Sequence, residues 1–551
     1  MDDRRPGRAA IANPSYLNCS VRHGTPIFTR AQAQAFDDSA ISAGVSGLVL
    51  MENAGRGAAD VLEQDCSDFL CRPVILGGPG KNGGDAWVVA RHLRVRGYVP
   101  FCIFAGESEH LQGDALANWN ALEAMQIPRL HLPRQSSFDE ATSELKRASI
   151  LVDGLFGTGL ARPIDGTFRH LIEQSNRLGI PALSLDCPSG IDCDTGQVWG
   201  TAFRASVTVT FGALKRGLLQ HPGAAHAGRI RVLDIGVPSP ANADSCVRIE
   251  AAQVAQNLPC RAKDSHKGSA GRVAVLGGSA GKTGAAYLSG LGALRAGAGL
   301  VTLVGTEDVA RRWEAKVVEL MTESVGAELS VDAAHRCIDG MDAVVLGPGL
   351  GISKSTTGFV RRLSKEVSMP MVLDADALTA LAKEKCLDEL ADHPGPRVLT
   401  PHPGEAARLL DCTTEAIQRD RYRAALQLSD RSGQTVVLKG AGSIVAGTSK
   451  LAVCDRGTPA LGVAGTGDVL AGAIASLLAQ KKSFEAALAM VWLHAVAGER
   501  AARSDRGLLA TEVARALPEV HASLMDLMSG PAGFDVRPGS AFRMTVNSSP
   551  A

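Results

Sequence analysis

The sequence of 551 residues lacks the features that mark several large classes of protein. Its twelve cysteines include no CxxC pair, which argues against a disulfide framework and against a zinc site. Lysine plus arginine equals aspartate plus glutamate at 57 each, so net charge predicts binding neither to nucleic acid nor to an acidic membrane. Aromatic residues make up only 4% of the chain, too few to indicate a platform for stacking bases. No apolar run approaches the ~18 residues of a membrane span.

The two ends of the chain have the composition of irregular segments. Residues 1–24 lack the apolar stretch of a secretory signal, and we expect them to form a disordered lead-in. Residues 526–551 are rich in glycine, proline and serine, and we expect a loose tail. These features predict a soluble, intracellular protein located in the cytoplasm.

Glycine is abundant, with sixty residues, and much of it follows short β-branched runs that read as buried strands. In the first half such runs alternate with helical patterns, and the same alternation begins again near residue 270. This alternation predicts an α/β fold with two doubly wound, mostly parallel sheets. We assign the two domains to 25–240 and 250–525, with a linker near 237–245 where proline and small polar residues cluster.

Three loops at predicted strand ends of the first domain are candidates for a binding site, because ligands of open α/β sheets bind beyond the carboxyl ends of the strands. They are GGPGKNGGD (77–85), GLFGTGLARP after Asp153, and CPSGID after Asp186. Glycines let backbone N–H groups approach a phosphate, so two such loops suit a dinucleotide pyrophosphate. The first loop is not a GxxxxGK[ST] loop, because Asn82 follows Lys81. Either aspartate, taken alone, could simply cap the next helix.

Four motifs in this half, taken in order, resemble those of the NAD(P)H-hydrate epimerase family over roughly residues 28–240. The motifs are MENAG (51–55), GPGKNGGD (78–85), DGLFGTGLARP (153–163) and DCPSGID (186–192). The resemblance implies a Rossmann-like domain that interconverts the R and S epimers of hydrated NADH and NADPH, with Asp186 as the proton-transfer residue. The residues it implies in contact with the hydrated dinucleotide are Lys81, Asn82, Gly83, Gly84, Asp85, Gly157, Thr158, Gly159, Leu160, Ala161, Arg162, Pro163 and Asp186.

The same resemblance implies a potassium ion bound by oxygen atoms of Asn82, Asp153 and Ser189. Ligation by oxygen alone suits a hard cation. The sequence departs from the family at one point: the family usually reads NNGGDG, whereas Lys81 replaces the first asparagine and Ala86 follows the aspartate. Two interpretations of Lys81 stay open, namely pairing with a substrate phosphate and crowding of the cation by like-charge repulsion.

In the second half, AGTGDVLAGAIASLLA (464–479) places a glycine-rich turn at the start of a predicted helix. Backbone N–H groups of 465–467 would then point outward at the positive end of that helix. Asp468 lies in the first turn, where a carboxylate is suited to activate a hydroxyl toward a phosphate. The alternative is that Asp468 is only a favourable partner of the helix dipole. The GKT at 281–283 does not belong to a GxxxxGKT loop, because Leu276 occupies the position of the first glycine.

The GTGD turn resembles the anion hole and base of the ribokinase-like superfamily, and further motifs resemble the ADP/ATP-dependent NAD(P)H-hydrate dehydratase family over roughly residues 255–520. Those motifs are LGPGLG (346–351), LDADAL (373–378), TPHPGE (400–405) and LKGAGS (438–443). The resemblance implies that ADP, with a magnesium ion, phosphorylates the hydroxyl of the S hydrate. Loss of phosphate then restores NAD(P)H, and AMP is the second product. The implied hydrate site is Ala285, Gly349, His402 and the base Asp468, and the implied nucleotide site is Lys439, Gly440, Ala441, Gly442, Ser443 and Gly467.

Several of these residues could instead have a purely structural role. His402, between two prolines, could hydrogen-bond only its own loop, and Asp374 and Asp376 could do no more than cap a helix. Glu405 is a candidate to reach magnesium through water, because that ion usually keeps several waters.

The two halves together predict a bifunctional repair enzyme, with small-molecule substrates and with no nucleic-acid or membrane partner. The resemblance also implies a homo-oligomer. The alternative is a small-molecule kinase of the ribokinase type fused to a dinucleotide-binding domain that has lost catalysis.

Overall fold

The computed structural model describes residues 24–133, 138–238, 245–259 and 261–529. Nearly all of the predicted lead-in, the predicted tail beyond residue 529 and most of the predicted linker lie outside these ranges. Among the described residues, no helix has both the length and the apolar character that crossing a bilayer requires.

The described chain forms β-strands that are mostly short and buried. They are β1 (Thr25–Phe28), β2 (Pro73–Gly77), β3 (Phe101–Ala105), β4 (Arg129–Leu132), β5 (Ile150–Gly154), β6 (Ala182–Leu185), β7 (Val207–Phe211), β8 (Leu214–Lys215), β9 (Arg229–Leu233), β10 (Cys246–Arg248), β11 (Arg272–Leu276), β12 (Leu300–Gly305), β13 (Met321–Ser324), β14 (Ala343–Leu346), β15 (Met371–Leu373), β16 (Arg397–Leu399), β17 (Thr435–Leu438), β18 (Ser443–Gly447) and β19 (Lys450–Cys454).

Helices connect most of these strands. They are α1 (Arg30–Ser42), α2 (Gly47–Cys66), α3 (Lys81–Val95), α4 (Gly113–Ala124), α5 (Asp139–Arg147), α6 (Gly166–Leu178), α7 (Gly223–Ala227), α8 (Ala251–Asn257), α9 (Thr283–Ala296), α10 (Glu307–Glu314), α11 (Val331–Ile338), α12 (Lys354–Glu366), α13 (Asp376–Glu384), α14 (Pro403–Leu410), α15 (Thr414–Arg419), α16 (Arg421–Ser432), α17 (Thr466–Leu478), α18 (Ser483–Ala501) and α19 (Ala510–Ser529).

The smaller sheet is parallel and has the order β4-β3-β2-β5-β6-β7-β9. Helices α2, α3 and α4 cover one face, and α5 and α6 cover the other. Burial on both faces explains why the strands read as continuous apolar runs such as PVILG in β2, whose five residues are all buried. The predicted doubly wound α/β domain is confirmed.

The larger sheet begins with seven parallel strands in the order β13-β12-β11-β14-β15-β16-β17. Helices α9, α17, α18 and α19 cover one face, and α11 to α14 and α16 cover the other. The antiparallel strands β18 and β19 follow. The parallel strands with helices on both faces confirm the second predicted α/β domain.

The larger sheet continues beyond β19 into strands that the sequence did not predict. Strand β10 pairs with β19, and β1 and β8 from the N-terminal half then extend the same sheet. The two halves of the chain are therefore joined by backbone hydrogen bonds. This pairing covers the edge of β10, which would otherwise present unpaired N–H and C=O groups.

Candidate active sites

A cavity of about 420 Å³ lies in the N-terminal half, beyond the carboxyl ends of β2, β5 and β6. Its wall contains eight of the residues predicted for the hydrated dinucleotide: Lys81, Asn82, Asp85, Gly157, Thr158, Gly159, Leu160 and Asp186. Gly83 and Gly84 are buried behind the cavity, while Ala161, Arg162 and Pro163 are exposed outside its lining.

The glycines of the first loop permit close packing of three chain segments. A Cβ on Gly83 would lie 1.9 Å from the carbonyl oxygen of Gly78, and a Cβ on Gly78 would lie 2.1 Å from that of Leu155. Only glycine fits such an approach of backbone to backbone. The start of α3 is thereby held against the ends of β2 and β5, which brings Asn82 and Gly157 to one wall of the cavity.

Asp186 forms a buried ion pair with Lys215. The Nζ atom of Lys215 lies 2.5 Å from Oδ1 of Asp186, and the lysine side chain is 2% exposed. Asp186 has a φ of +62°, a left-handed conformation that aspartate tolerates better than most residues. Burial lowers the pKa of Lys215, but the Asp186 carboxylate outweighs burial, so that the pKa lies above its ordinary value. Lys215 is therefore a cation at neutral pH.

The sequence prediction did not include Lys215. Its stretch FGALKRG is apolar around a single lysine, and lysine is almost never fully buried unless it is paired. The signal was therefore weak. The ammonium group reaches Asp186 because β7 lies beside β6 in the sheet and the short turn after β7 returns Lys215 to the end of β6.

We expect Lys215→Met to lower the free energy of unfolding by about 3 kcal/mol, because it leaves the Asp186 carboxylate, whose side chain is only 14% exposed, without its partner. Chemical denaturation measures this change. Lys81→Met is the matched control: its Nζ lies 3.8 Å from Asp37 Oδ2, but the lysine side chain is 65% exposed, so the loss should stay within about 1 kcal/mol. Equal losses in the two variants would contradict a structural ion pair at Lys215.

Two further carboxyl groups face the same cavity. Burial raises the pKa of Asp85 well above its ordinary value, and the neighbouring Asp186 and Asp37 carboxylates add to this effect. Burial also raises the pKa of Asp37, which lies on α1 and was not predicted. Lys81 points toward Asp37, so the site combines three carboxyl groups with two ammonium groups.

The three predicted cation ligands lie behind this cavity or in its wall. Asp153 is fully buried at the end of β5 and accepts hydrogen bonds from Ser189 Oγ at 2.5 Å and Ser189 N at 2.8 Å. Asn82 donates through Nδ2 to the Leu185 carbonyl, but its buried Oδ1 has no hydrogen-bond partner. A buried acceptor without a donor is the environment that an oxygen-coordinated cation satisfies.

A second cavity, of about 920 Å³, lies in the C-terminal half and is closed on one side by the N-terminal half. Its wall contains His402, the whole predicted nucleotide loop Lys439–Ser443, and Gly467. On the N-terminal side the wall includes Leu219 and Ile230. Its volume lies within the range of small-molecule sites.

The glycine-rich turn at the start of α17 is positioned by close packing against α9. A Cβ on Gly472 would lie 1.8 Å from the Ser289 carbonyl oxygen, so the two helices approach at small residues. Ser289 Oγ in turn donates to the Asp468 carbonyl at 2.8 Å. Gly465 begins the helix with a φ of +96°, which favours glycine. Gly467 lines the cavity, whereas Asp468, the next residue in the chain, lies outside its lining.

Asp468 belongs to a cluster of buried charges. Burial raises its pKa to about 7, and the Asp374 carboxylate adds to this rise. Lys439 Nζ lies 2.6 Å from Asp374 Oδ1, which also accepts from Thr400 at 2.8 Å. Burial lowers the pKa of Lys439, but Asp374 outweighs it and the pKa lies above its ordinary value. Asp374 therefore pairs with the lysine of the predicted nucleotide loop instead of capping a helix.

His402 makes hydrogen bonds within its own loop and also lies in the wall of the large cavity, so both interpretations of this residue apply. Its Nδ1 accepts from Gly404 N at 3.0 Å and caps α14, while Glu405 Oε2 accepts from His402 N at 2.8 Å. The ring also lines the large cavity. Burial, with the nearby Lys439 cation, lowers the pKa of His402, so the ring is neutral at pH 7. Burial raises the pKa of Glu405 to about 7.

Of the remaining predicted residues, Ala285 lies in the first turn of α9 and Gly349 lies in the loop after β14, packed against that turn. Gly349 has a φ of +67°, and a Cβ there would lie 2.5 Å from the Lys282 carbonyl and 3.1 Å from Ala285 Cβ. Ala285 and Gly349 are thus in contact with each other but lie outside the lining of the large cavity. Asp376 accepts from Gly351 N at 2.8 Å beside them.

His494 is a cavity residue that the sequence prediction missed. Its Nε2 lies 2.9 Å from the Thr466 carbonyl, and burial lowers its pKa to about 4. The ring therefore supports the turn of α17 as a neutral donor. A single histidine in the apolar stretch AMVWLHAVAG was the available signal.

Comparison with known proteins finds a family model that matches each half of the chain. The family model described as "YjeF-related protein N-terminus" matches residues 47–217, and the model described as "NAD(P)H-hydrate dehydratase" matches residues 273–519. Both ranges fall inside the predicted domains.

The full-length relatives include proteins named bifunctional NAD(P)H-hydrate repair enzyme Nnr. The protein of Moorella thermoacetica is 38% identical over 86% of this chain and 92% of its own length. That of Escherichia coli is 36% identical over 87% and 91%. Among solved structures, an ADP/ATP-dependent NAD(P)H-hydrate dehydratase from Bacillus subtilis, co-crystallized with ATP/Mg²⁺, is 29% identical; it covers 50% of this chain and 98% of its own, with a TM-score of 0.44.

Proposed function

The chain belongs to the bifunctional NAD(P)H-hydrate repair enzymes, and from that premise we propose how its two sites divide the reaction. It is an enzyme that repairs hydrated NADH and NADPH. The N-terminal cavity epimerises the R and S hydrates, and the C-terminal site dehydrates the S hydrate with ADP as phosphoryl donor. The main support is that each half carries a carboxylate at a strand or helix end beside a glycine-rich loop, Asp186 in one and Asp468 in the other.

In the N-terminal site, Asp186 moves the proton that epimerisation requires. Its carboxylate faces the cavity and is oriented by Lys215 at 2.5 Å and by Thr210 Oγ1 at 3.4 Å. A general base must lie within hydrogen-bond reach of the proton it abstracts, and a fixed rotamer satisfies this condition at little entropic cost. Lys81 is held on the Asp37 side of the cavity, where it is available to a substrate phosphate.

A potassium ion fits the residues at the back of this site. Asn82 Oδ1 is the buried acceptor without a partner, and the Ser189 and Asp153 oxygens form the adjoining polar cluster. A bound cation would supply positive potential for a substrate phosphate or a developing negative charge. Lys81 pairs with Asp37, so its ammonium group is held on the Asp37 side of the cavity. We therefore favour an interaction of Lys81 with the substrate over repulsion of the cation by Lys81.

We expect potassium to stabilise the wild-type protein by about 1.4 kcal/mol at roughly tenfold excess over its Kd. Thermal unfolding in potassium chloride and in choline chloride of equal ionic strength measures this difference. Asn82→Ala should remove the potassium dependence, whereas Asn118→Ala, at another buried asparagine of the same domain, should retain it. Retention of the dependence in Asn82→Ala would contradict the ligand assignment.

In the C-terminal site, Asp468 accepts the proton of the hydrate hydroxyl as that oxygen attacks the β-phosphoryl group of ADP. Gly467 at the start of α17 and the Lys439 side chain line the cavity, where the backbone N–H groups and the ammonium group would face the phosphates of ADP. AMP leaves, and the phosphorylated hydrate then loses phosphate together with a proton from the adjacent ring carbon, which restores the ring double bond. A carboxyl with a pKa of about 7 is suited to this role because its protonation changes near the working pH.

Magnesium would neutralise charge on the phosphates of the donor. Within the ranges that the structure describes, no three His, Cys, Asp or Glu side chains are arranged to hold a metal ion. The phosphates and water would therefore supply most of its ligands, as is usual for this ion. Glu405 is engaged with His402 by two contacts and is a candidate only through water.

The alternative of a small-molecule kinase fused to a non-catalytic domain is not favoured, because the relatives that match both halves are repair enzymes. On the family resemblance we also propose a homo-oligomer located in the cytoplasm. Light scattering of the purified protein would measure the oligomeric state.

The decisive assay supplies a mixture of R and S NADH hydrate with ADP, magnesium and potassium, and follows the absorbance of regenerated NADH. Enzyme-dependent recovery of the whole mixture, faster than uncatalysed epimerisation, is the expected result. Recovery that stops when the S form is consumed would remove the epimerase assignment. A stable phosphorylated product would restore the kinase alternative.

A further inference from the structure

A short segment of the N-terminal half reaches the predicted nucleotide loop of the C-terminal half. Gln220 follows β8 and the single turn Arg216–Leu219, and it is 1% exposed. It lies five residues after Lys215, the ion-pair partner of Asp186. The segment therefore extends from one candidate site to the other.

Both ends of the Gln220 amide are used in this contact. Nε2 donates to the Gly442 carbonyl at 3.0 Å, within the loop Lys439–Ser443. Oε1 accepts from Arg421 Nε at 2.7 Å. Arg421 also donates to the carbonyls of Leu438 and Lys439, at 3.2 and 3.3 Å. One buried network thus holds the beginning and the end of the loop.

The loop is also packed sterically on the N-terminal half. Gly442 has a φ of +66°, and a Cβ there would lie 2.4 Å from the Leu219 carbonyl oxygen. Leu219, His221 and Ile230 continue the same surface along the wall of the 920 Å³ cavity. The N-terminal half therefore forms part of the wall of the cavity that the C-terminal loops also line.

We propose that Gln220 is a positioning residue for nucleotide binding, through which the N-terminal half completes the nucleotide site of the C-terminal half. This inference rests on the nucleotide assignment made under the proposed function. A loop that binds phosphate or ribose by its backbone must hold its peptide groups in one orientation before the ligand arrives. Gln220 fixes the Gly442 carbonyl, and with it the peptide that leads into Ser443, without touching the reacting atoms.

Gln220→Glu separates the two contacts of the amide. The carboxylate still accepts from Arg421 but has no hydrogen to donate to the Gly442 carbonyl. Loss of a buried donor from its acceptor is expected to weaken binding of magnesium ADP by about tenfold. The KM for ADP should rise by a similar factor, while kcat with saturating S hydrate stays within about twofold of wild type.

Gln197→Glu is the matched control. Gln197 Nε2 donates to the Gln418 carbonyl at 3.4 Å across the same contact between the halves, but it does not reach the nucleotide loop. Affinity for ADP should be unchanged in this variant. Thermal unfolding of both variants shows whether a change in affinity accompanies a loss of folding. Gln220→Asn keeps the amide, but its side chain is one methylene shorter, so it should restore little of the affinity for ADP that Gln220→Glu loses.

Calorimetric titration of the full-length proteins with magnesium ADP distinguishes the outcomes. Equal affinity in wild type and Gln220→Glu would overturn the inference, and so would a loss confined to kcat. Equal weakening by Gln197→Glu would also overturn it, because the effect would then belong to the general contact between the halves. Absence of ADP binding by the wild type would instead overturn the nucleotide assignment, and this inference with it.

Discussion

Asp468→Asn is expected to lower the kcat of dehydration by about 10³-fold, because a positioned general base contributes ~10²–10⁴-fold and asparagine cannot accept the proton. The side chain keeps its size, and Ser289 bonds only the backbone carbonyl of this residue, so folding should be preserved. Epimerisation, which we propose takes place in the other cavity, should be unchanged. The measurement is NADH recovery from purified S hydrate with saturating ADP.

Asp376→Asn is the matched control, since Asp376 is a neighbouring carboxylate held by Gly351 N and by Lys282 at 3.6 Å. Its loss should change kcat by less than about tenfold. A loss in Asp376→Asn equal to that in Asp468→Asn would mean that the charge of the cluster, and no single base, supports the reaction.

The pH dependence of dehydration should follow the same carboxylate. Because burial raises the pKa of Asp468 to about 7, the group is protonated below that pH and cannot act as a base. We expect kcat/KM to fall toward tenfold per pH unit below pH 7 and to level off above it. Glu405 has a similar pKa, so Glu405→Gln should retain this profile if Asp468 is responsible. A flat profile in wild type would contradict the assignment.

Asp186→Asn is expected to reduce enzyme-dependent epimerisation by about 10³-fold while leaving dehydration of the S hydrate intact. In the mixed-hydrate assay, NADH recovery should therefore stop when the S form is consumed and continue only at the uncatalysed rate. The physical reason is the loss of the one carboxylate that Lys215 orients toward the cavity at 2.5 Å.

Asp37→Asn provides the comparison for Asp186. Asp37 lines the same cavity, and its one ion pair among the described residues is with Lys81, so its loss should affect substrate affinity more than turnover. Normal epimerisation by Asp186→Asn would contradict the assignment of the proton-transfer residue. A similar loss of turnover in Asp37→Asn would divide the role between the two carboxylates.

Much of the fold and part of the candidate sites could be predicted from local sequence. The β-branched runs before glycines marked the parallel strands, because strands buried on both faces must be continuously apolar. Loops at the ends of those strands marked the candidate sites, since the carboxyl ends of parallel strands meet at one edge of a sheet. The structure accordingly brings Asn82, Gly157 and Asp186 to one cavity.

The residues that were missed depend on contacts between distant segments. From the sequence alone Lys215 is an ordinary lysine, and its role depends on the pairing of β7 with β6, which brings it to Asp186. Asp374 could equally be a helix cap, and its role depends on Lys439, whose Nζ lies 2.6 Å from Asp374 Oδ1. Strands as short as TPIF in β1 carry little local signal, so their place in the larger sheet could not be predicted.

The sequence by itself determined the two α/β domains, the glycine-rich loops and the two carboxylates, because apolar periodicity and backbone freedom are local properties. Only the tertiary structure decided which charges are buried together and that the N-terminal half closes the C-terminal cavity. Burial and ion pairing depend on which segments meet in space, and segments as far apart as Gln220 and Gly442 are brought together only by folding of the whole chain.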